Sequence, residues 1–202
     1  AEGKWRVCLP PQEPMCEPTT LQVEAGYEIR VFSDVLVGEN WVCAGQSNME
    51  WTVKQSSCGR ELVAMGINSL VRHCRVPHAT SPAPLVDFRG TQWETASPHS
   101  INSWSAIGTF MAHHLQAALG CPIGILCCTK GGTSIRSWLG PDSSRNTGSG
   151  DIMHPGNSSE GKFLQGELYC GMVCPLIPFA IKGVMWYQGE SDVKSWQLYR
   201  AR

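Results

Sequence analysis

The sequence predicts an α/β fold, a parallel sheet layered with helices and preceded by a short β segment, on three observations. Apolar runs of strand length recur, and one of them, Ile123-Gly-Ile-Leu-Cys-Cys128, has no polar residue, the pattern of a strand buried on both faces in a parallel sheet. A segment of helical spacing lies between two such runs, which makes a strand–helix–strand unit. Before residue 38 the pattern is different, with short alternating or β-branched stretches broken by turn residues.

The elements follow in order. Leu21-Gln-Val23 and Glu28-Ile-Arg-Val31, bounded by Gly26 and Ser33-Asp34, read as antiparallel strands, so residues 1–37 form a β-rich segment, expected to be the end of a preceding β domain. Residues 38–202 form the α/β domain. Asn40-Trp-Val-Cys-Ala44 is a strand ending at Gly45, residues 58–65 are helical up to Gly66, and residues 71–76 form a weaker strand. The clearest helix places Ile107, Phe110, Met111, Leu115 and Ala118 on one face, with Ser103 or Ser105 to cap its start and Gly120 beyond its end. Cys121-Pro122 turns the chain into the strand at 123–128. Residues 140–161 are mostly Ser, Gly, Asn, Asp and Pro and read as a long surface loop. Order resumes over 172–179, the run 181–187 is too continuously apolar for an exposed hairpin, and Ser191-Asp192 caps a final helix.

At 202 residues, 42 % hydrophobic and 16 % charged, the chain has material for one sizeable core. A formal net charge of −1 offers no cationic surface to a phosphate backbone or an anionic membrane, so neither nucleic acid nor membrane is an expected partner. No apolar run reaches the about 18 residues that span a bilayer. The opening Ala1-Glu2-Gly3-Lys4 has no apolar leader core and no initiator Met, and reads as processed or cut from something longer. Ten cysteines suit a secreted or lysosomal protein with some disulfides. Their spacing provides no Cys-x-x-Cys pair for zinc, and no metal or other cofactor is expected. Cys43, Cys127 and Cys128 lie in apolar runs and read as small core hydrophobes.

Three polar, glycine-containing segments end three of the expected strands: Gly45-Gln-Ser-Asn-Met49, Lys130-Gly-Gly-Thr133 and Gln188-Gly-Glu-Ser191. Ligands of open α/β sheets bind outside the carboxyl ends of the strands, so the three segments project into one place. Together they supply the parts of an acyl-transfer site. Ser47 follows a tight turn that would expose its hydroxyl, beside helix N-terminal amides that can meet negative charge. Alone, such a serine is more often a helix cap than a nucleophile. Gly131-Gly132 is equally a plain turn or a place where backbone N–H groups approach a substrate. Glu190 is either a solvated capping acid or a group that orients a catalytic base.

The segments Val42-Cys-Ala-Gly-Gln-Ser-Asn-Met-Glu50, Lys130-Gly-Gly-Thr-Ser-Ile-Arg-Ser-Trp138 and Lys182-Gly-Val-Met-Trp-Tyr-Gln-Gly-Glu-Ser191 resemble, in order, the blocks of sialate O-acetylesterases within the SGNH hydrolase superfamily. Asp34-Val-Leu-Val-Gly38 and Met172-Val-Cys-Pro-Leu-Ile-Pro-Phe179 are similar to that family too. The resemblance implies a three-layer, flavodoxin-like α/β/α sandwich, incomplete at its C-terminus, and a metal-free hydrolysis of O-acetyl esters on sugars, sialic acid foremost, through an acetyl-serine. It implies Ser47 as nucleophile with its own N–H as one oxyanion donor, Gly132 or Gly131 as the second, the Gln188 amide as the third, and Glu190 as the acid of the third block. Gln46, Asn48, Gly131 and Thr133 beside them are expected to line the substrate.

The family takes its general base from an Asp-x-x-His motif after the third block, and no histidine follows Glu190 here. Asp151-Ile-Met-His154 spells that motif but lies in the polar loop between the second and third blocks, and is read as coincidence. His113 and His114 are assigned to a helix surface or core edge, and His73, His78 and His99 have no motif support. The site is therefore expected to be correct but short of its base. Two other readings compete: a thiol enzyme using Cys127 or Cys128, and a catalytically inactive carbohydrate-binding pseudo-esterase that uses some of the eight tryptophans. Trp41, Trp138 and Trp186 are expected in the core. Oligomeric state has no signature in the sequence.

Overall fold

The computed structural model describes residues 7–64, 68–88, 90–140, 164–177 and 179–199, so nearly all of the polar loop, Gly66 and the Asp151–His154 motif lie outside the described residues. Strands β1 (Met15–Ala25) and β2 (Glu28–Val37) form an antiparallel ribbon, turning at Gly26 with φ +62°. Arg72 ties the ribbon to the main sheet by donating to both carboxylate oxygens of Asp34 at 2.7 and 2.9 Å. Those hydrogen bonds hold the exposed Asp34 carboxyl below its ordinary range.

The main sheet has five strands in the order β5-β4-β6-β3-β7: β3 (Glu39–Gly45), β4 (Val71–Arg75), β5 (Trp93–Thr95), β6 (Ile123–Thr129) and β7 (Gly183–Tyr187). All are parallel except β5, a short antiparallel edge strand that the sequence reading did not contain. Alternation along β3 and β6 divides the core in two. Cys43, Ile123, Ile125 and Cys127 face one side, where α2 (Gly59–Ala64) and α3 (Ala106–Leu119) pack, and Val42, Ala44, Leu126 and Cys128 face the other. That second side is covered by short helical turns at Ile135–Trp138, Tyr169–Val173 and Cys174–Leu176. The result is the expected three-layer α/β/α arrangement.

Helix α3 begins where expected: Ser105 Oγ accepts from Gly108 N–H at 3.2 Å and donates to the Met49 carbonyl at 2.7 Å. Such a cap contributes about 1 kcal/mol. It ends at Gly120, whose φ of +66° is the left-handed conformation glycine adopts freely. The contact face is rotated from the expected one. Ala106, Gly108, Thr109 and Ala112 are fully buried, whereas Ile107, Phe110, Met111 and Leu115 flank the seam and Ala118 is exposed. The reason is closeness to the sheet, since a Cβ on Gly108 would lie 3.2 Å from Cys43 Sγ. His113 is half-buried at the helix edge and His114 exposed, as expected.

Strand β7 departs from its expected burial. It pairs only with β3, and among the described residues nothing pairs with its other edge, so Val184 is 56 % and Trp186 38 % exposed. Trp138 is buried and meets Trp186 edge-on with ring centroids 5.7 Å apart, and Trp41 is half-buried, so Trp186 alone of the three leaves the core. Between β7 and the turns of the second face lies an apolar groove of about 430 Å³, lined by Val42, Trp138, Leu176, Phe179, Val184 and Trp186 among others.

All ten cysteines are free thiols in the structure. Cys127 and Cys128 are buried in β6, and desolvation raises both thiols above their ordinary range; the Cys43 thiol is pushed up to about 12 by burial and then by neighbouring Cys127. Inert, neutral thiols of this kind remove the cysteine-enzyme reading.

Two outcomes follow from this packing. His73 on β4 is 1 % exposed, stacks on Trp104 at 5.0 Å, and finds no hydrogen-bond partner for either ring nitrogen. Burial, and then the charge of Arg75, lowers its pKa to about 3, below the unfolded value of about 6.5. The unfolded chain then binds the extra proton, so this contribution to stability is complete above pH 6.5 and is lost as pH falls from there toward 3, at up to about 1.4 kcal/mol per unit. Urea unfolding between pH 4 and 7 is expected to show that slope, and His73→Phe to flatten it. At Gly45, φ is +144° and a Cβ would sit 2.0 Å from the Tyr187 carbonyl oxygen. Gly45→Ala is expected to part β3 from β7 and abolish recovery of folded protein, read by circular dichroism and soluble yield.

Candidate active site

Parallel pairing aligns three strand ends. Gly45 of β3 stands opposite Thr129 of β6 on one side and Tyr187 of β7 on the other, so the segments that follow leave the sheet together. Lys130 N–H donates to the Gly45 carbonyl at 3.0 Å and Gln46 N–H to the Tyr187 carbonyl at 3.1 Å, extending the pairing into the turns.

Ser47 opens the single-turn helix α1 (Ser47–Glu50) and is exposed. Among the described residues, nothing hydrogen-bonds its hydroxyl and no acceptor takes its N–H. Gly131 lies directly over it: a Cβ there would be 3.6 Å from Ser47 Cβ. The two glycines then separate in role. Gly131 N–H donates to Glu50 Oε2 at 2.7 Å and is not available to a substrate, whereas Gly132, at φ +71° with open space around it, has its N–H unbound among the described residues.

The side chains expected to touch substrate turn inward. Gln46 is buried, and its Oε1 accepts from Gln188 Nε2 at 3.0 Å and from Ser191 N–H at 3.2 Å. Thr133 is buried too, its hydroxyl donating to the Lys130 carbonyl at 2.8 Å and accepting from Trp138 Nε1 at 3.0 Å. Gln188 presents no free donor: Nε2 faces Gln46 Oε1, the Thr133 carbonyl at 2.9 Å and Asp192 Oδ2 at 2.5 Å, three acceptors for two protons. These residues bind the three segments to one another, and in this arrangement the hydrogen-bond donors left open are backbone amides. Asn48 Nδ2 donates to Glu190 Oε1, so the exposed Glu190 braces the third segment against the first.

Three residues went unrecognised in the sequence. Asp192, read as a helix cap, is buried and accepts from Ile135 N–H at 2.8 Å as well as from Gln188. Glu50 and His78 form a chain with Lys130: Lys130 Nζ lies 3.1 Å from His78 Nδ1, and His78 Nε2 lies 3.2 Å from Glu50 Oε1. A protonated Lys130 donates to Nδ1, which leaves the ring proton on Nε2 for Glu50. Both nitrogens of His78 are thus occupied, and among the described residues no imidazole is bonded to Ser47. One signal did exist for Glu50, which stands three residues after Ser47 on the same helical turn.

Comparison with known proteins agrees with this geometry. Residues 37–202 match a family model described as carbohydrate esterase, sialic acid-specific acetylesterase. The chain is 32 % identical over 206 residues to the sialate O-acetylesterase of Homo sapiens and 28 % over 229 residues to that of Mus musculus. Those alignments cover 94 % and 93 % of this chain but 38 % and 42 % of those proteins. The crystal structure of a carbohydrate acetylesterase from Xanthomonas citri superposes with a TM-score of 0.83 at 35 % identity, over 94 % of this chain and 41 % of that one. The chain therefore spans about two fifths of the length of the relatives it matches. The family model covers most of the chain and a curated relative is above 30 % identical over nearly all of it: the chain belongs to the sialic acid-specific acetylesterase family of carbohydrate esterases.

Proposed function

We propose that the protein hydrolyses O-acetyl esters on carbohydrates, with O-acetylated sialic acid as the substrate class, through an acetyl-Ser47 intermediate. The observation that carries this reading is an exposed serine with an unclaimed hydroxyl and N–H, the Gly131–Gly132 turn over it and the Gly132 N–H likewise unclaimed among the described residues, at the meeting point of three strand ends. Ser47 Oγ attacks the acetyl carbonyl, its proton passes to a general base, and the carbonyl oxygen becomes an oxyanion that the Ser47 and Gly132 N–H groups receive. Collapse expels the sugar hydroxyl, and water then releases acetate from the serine by the same route.

The base on this reading is the imidazole of an Asp-x-x-His segment of the kind the family carries after its third block. A secreted or lysosomal setting goes with it. The second reading, a carbohydrate-binding protein without turnover, is favoured by one observation: no imidazole is bonded to Ser47 among the described residues.

Hydrolysis of a chromogenic acetate and acetate release from O-acetylated sialic acid test both readings, with the protein beside a form that continues past Arg202. The esterase reading expects turnover in the longer form, reduced about 10³-fold or more by Ser47→Ala and unaffected by His154→Ala. Sugar binding that survives Ser47→Ala, with no ester cleaved by either form, favours the second reading.

A further inference from the structure

We propose that Glu50 is a positioning residue for the oxyanion site: by taking the Gly131 N–H it fixes the Gly131–Gly132 peptide and keeps the Gly132 N–H for the substrate. The inference rests on the acetylesterase reading and deepens it. Gly131 lies over Ser47 and Gly132 follows it directly, and a diglycine free to turn could present either amide. The carboxylate of Glu50 removes that choice, holding Gly131 N–H at 2.7 Å while nothing described holds that of Gly132. Because Glu50 shares its helical turn with Ser47, nucleophile and amide are registered to the same short element.

A carboxylate near a developing oxyanion would by itself oppose catalysis. The other oxygen of Glu50 is met by His78 Nε2 at 3.2 Å, and His78 Nδ1 by Lys130 Nζ at 3.1 Å, so the negative charge is offset on the side away from Gly131. Lys130 directly precedes the diglycine, so the offsetting cation belongs to the same segment that Glu50 positions. Glu50 does not contact the reacting atoms on this account; it acts through Gly131.

The experiment compares Glu50→Ala and Glu50→Gln with the parent in the form that hydrolyses esters, measuring kcat and KM separately and the amide proton shift and exchange of Gly131 by NMR. Glu50→Ala is expected to lower kcat about 10²-fold, the scale of one lost oxyanion donor, with KM changed less than about threefold. Glu50→Gln still offers an amide oxygen to Gly131 and is expected to recover at least about tenfold of that loss. Gly131 exchange should quicken in Glu50→Ala and stay slow in Glu50→Gln. A kcat for Glu50→Ala within about threefold of the parent overturns the proposal, as does a loss confined to KM or a Glu50→Gln variant as slow as Glu50→Ala. If Ser47→Ala leaves hydrolysis intact, the esterase reading fails instead. Equal Gly131 exchange in parent and Glu50→Ala overturns the positioning role without reference to turnover.

Discussion

The Tyr187 carbonyl oxygen sits 2.0 Å from where any side chain at Gly45 would begin, and the rest of the site depends on that closeness. It lets β3 and β7 remain paired to their last residues, while the same glycine's carbonyl takes the Lys130 N–H from beyond β6. Three chain segments separated by 57 or more positions, at 45, 130 and 187, are thereby brought to a single edge. Parallel pairing imposes this geometry, because neighbouring strands that run the same way must end on the same side.

Beyond the sheet, burial makes the polar contacts decisive. Gln46, Thr133 and Asp192 are buried and Gln188 is half-buried among them, and a polar group in such surroundings is costly unless it is bonded. Their mutual hydrogen bonds satisfy most of that demand and stiffen the loops that carry Ser47 and Gly132. The groups left open to solvent are a hydroxyl and backbone amides, the ones to which the proposed mechanism gives chemistry.

Much of this was legible in the residue pattern. The apolar run at 123–128 marked a central strand, Ser105 and Gly120 bracketed α3, and three glycine-containing segments marked the strand ends. What escaped was set by tertiary context. Periodicity located the apolar face of α3 but not its seam, because the approach to β3 selects for small residues such as Gly108 and Ala112 over the larger Phe110. Composition could not tell a central strand from an edge, so Trp186 was expected inside. Residue type likewise cannot say where an amide points: Gln188 suits an oxyanion donor, yet its nitrogen is drawn to three nearer acceptors. His78 and Glu50 lie 28 positions apart in a stretch with no shared motif, and only the fold joins them.

The interlocked hydrogen bonds among Gln46, Thr133, Gln188 and Asp192 also shape how the protein can vary. Residues that share partners do not contribute independently, so the damage from losing two of them is not the sum of the separate losses. A replacement at any one of these positions is therefore judged against whichever residues occupy the others. Lineages of this chain would be expected to exchange such residues as a set, with single changes blocked.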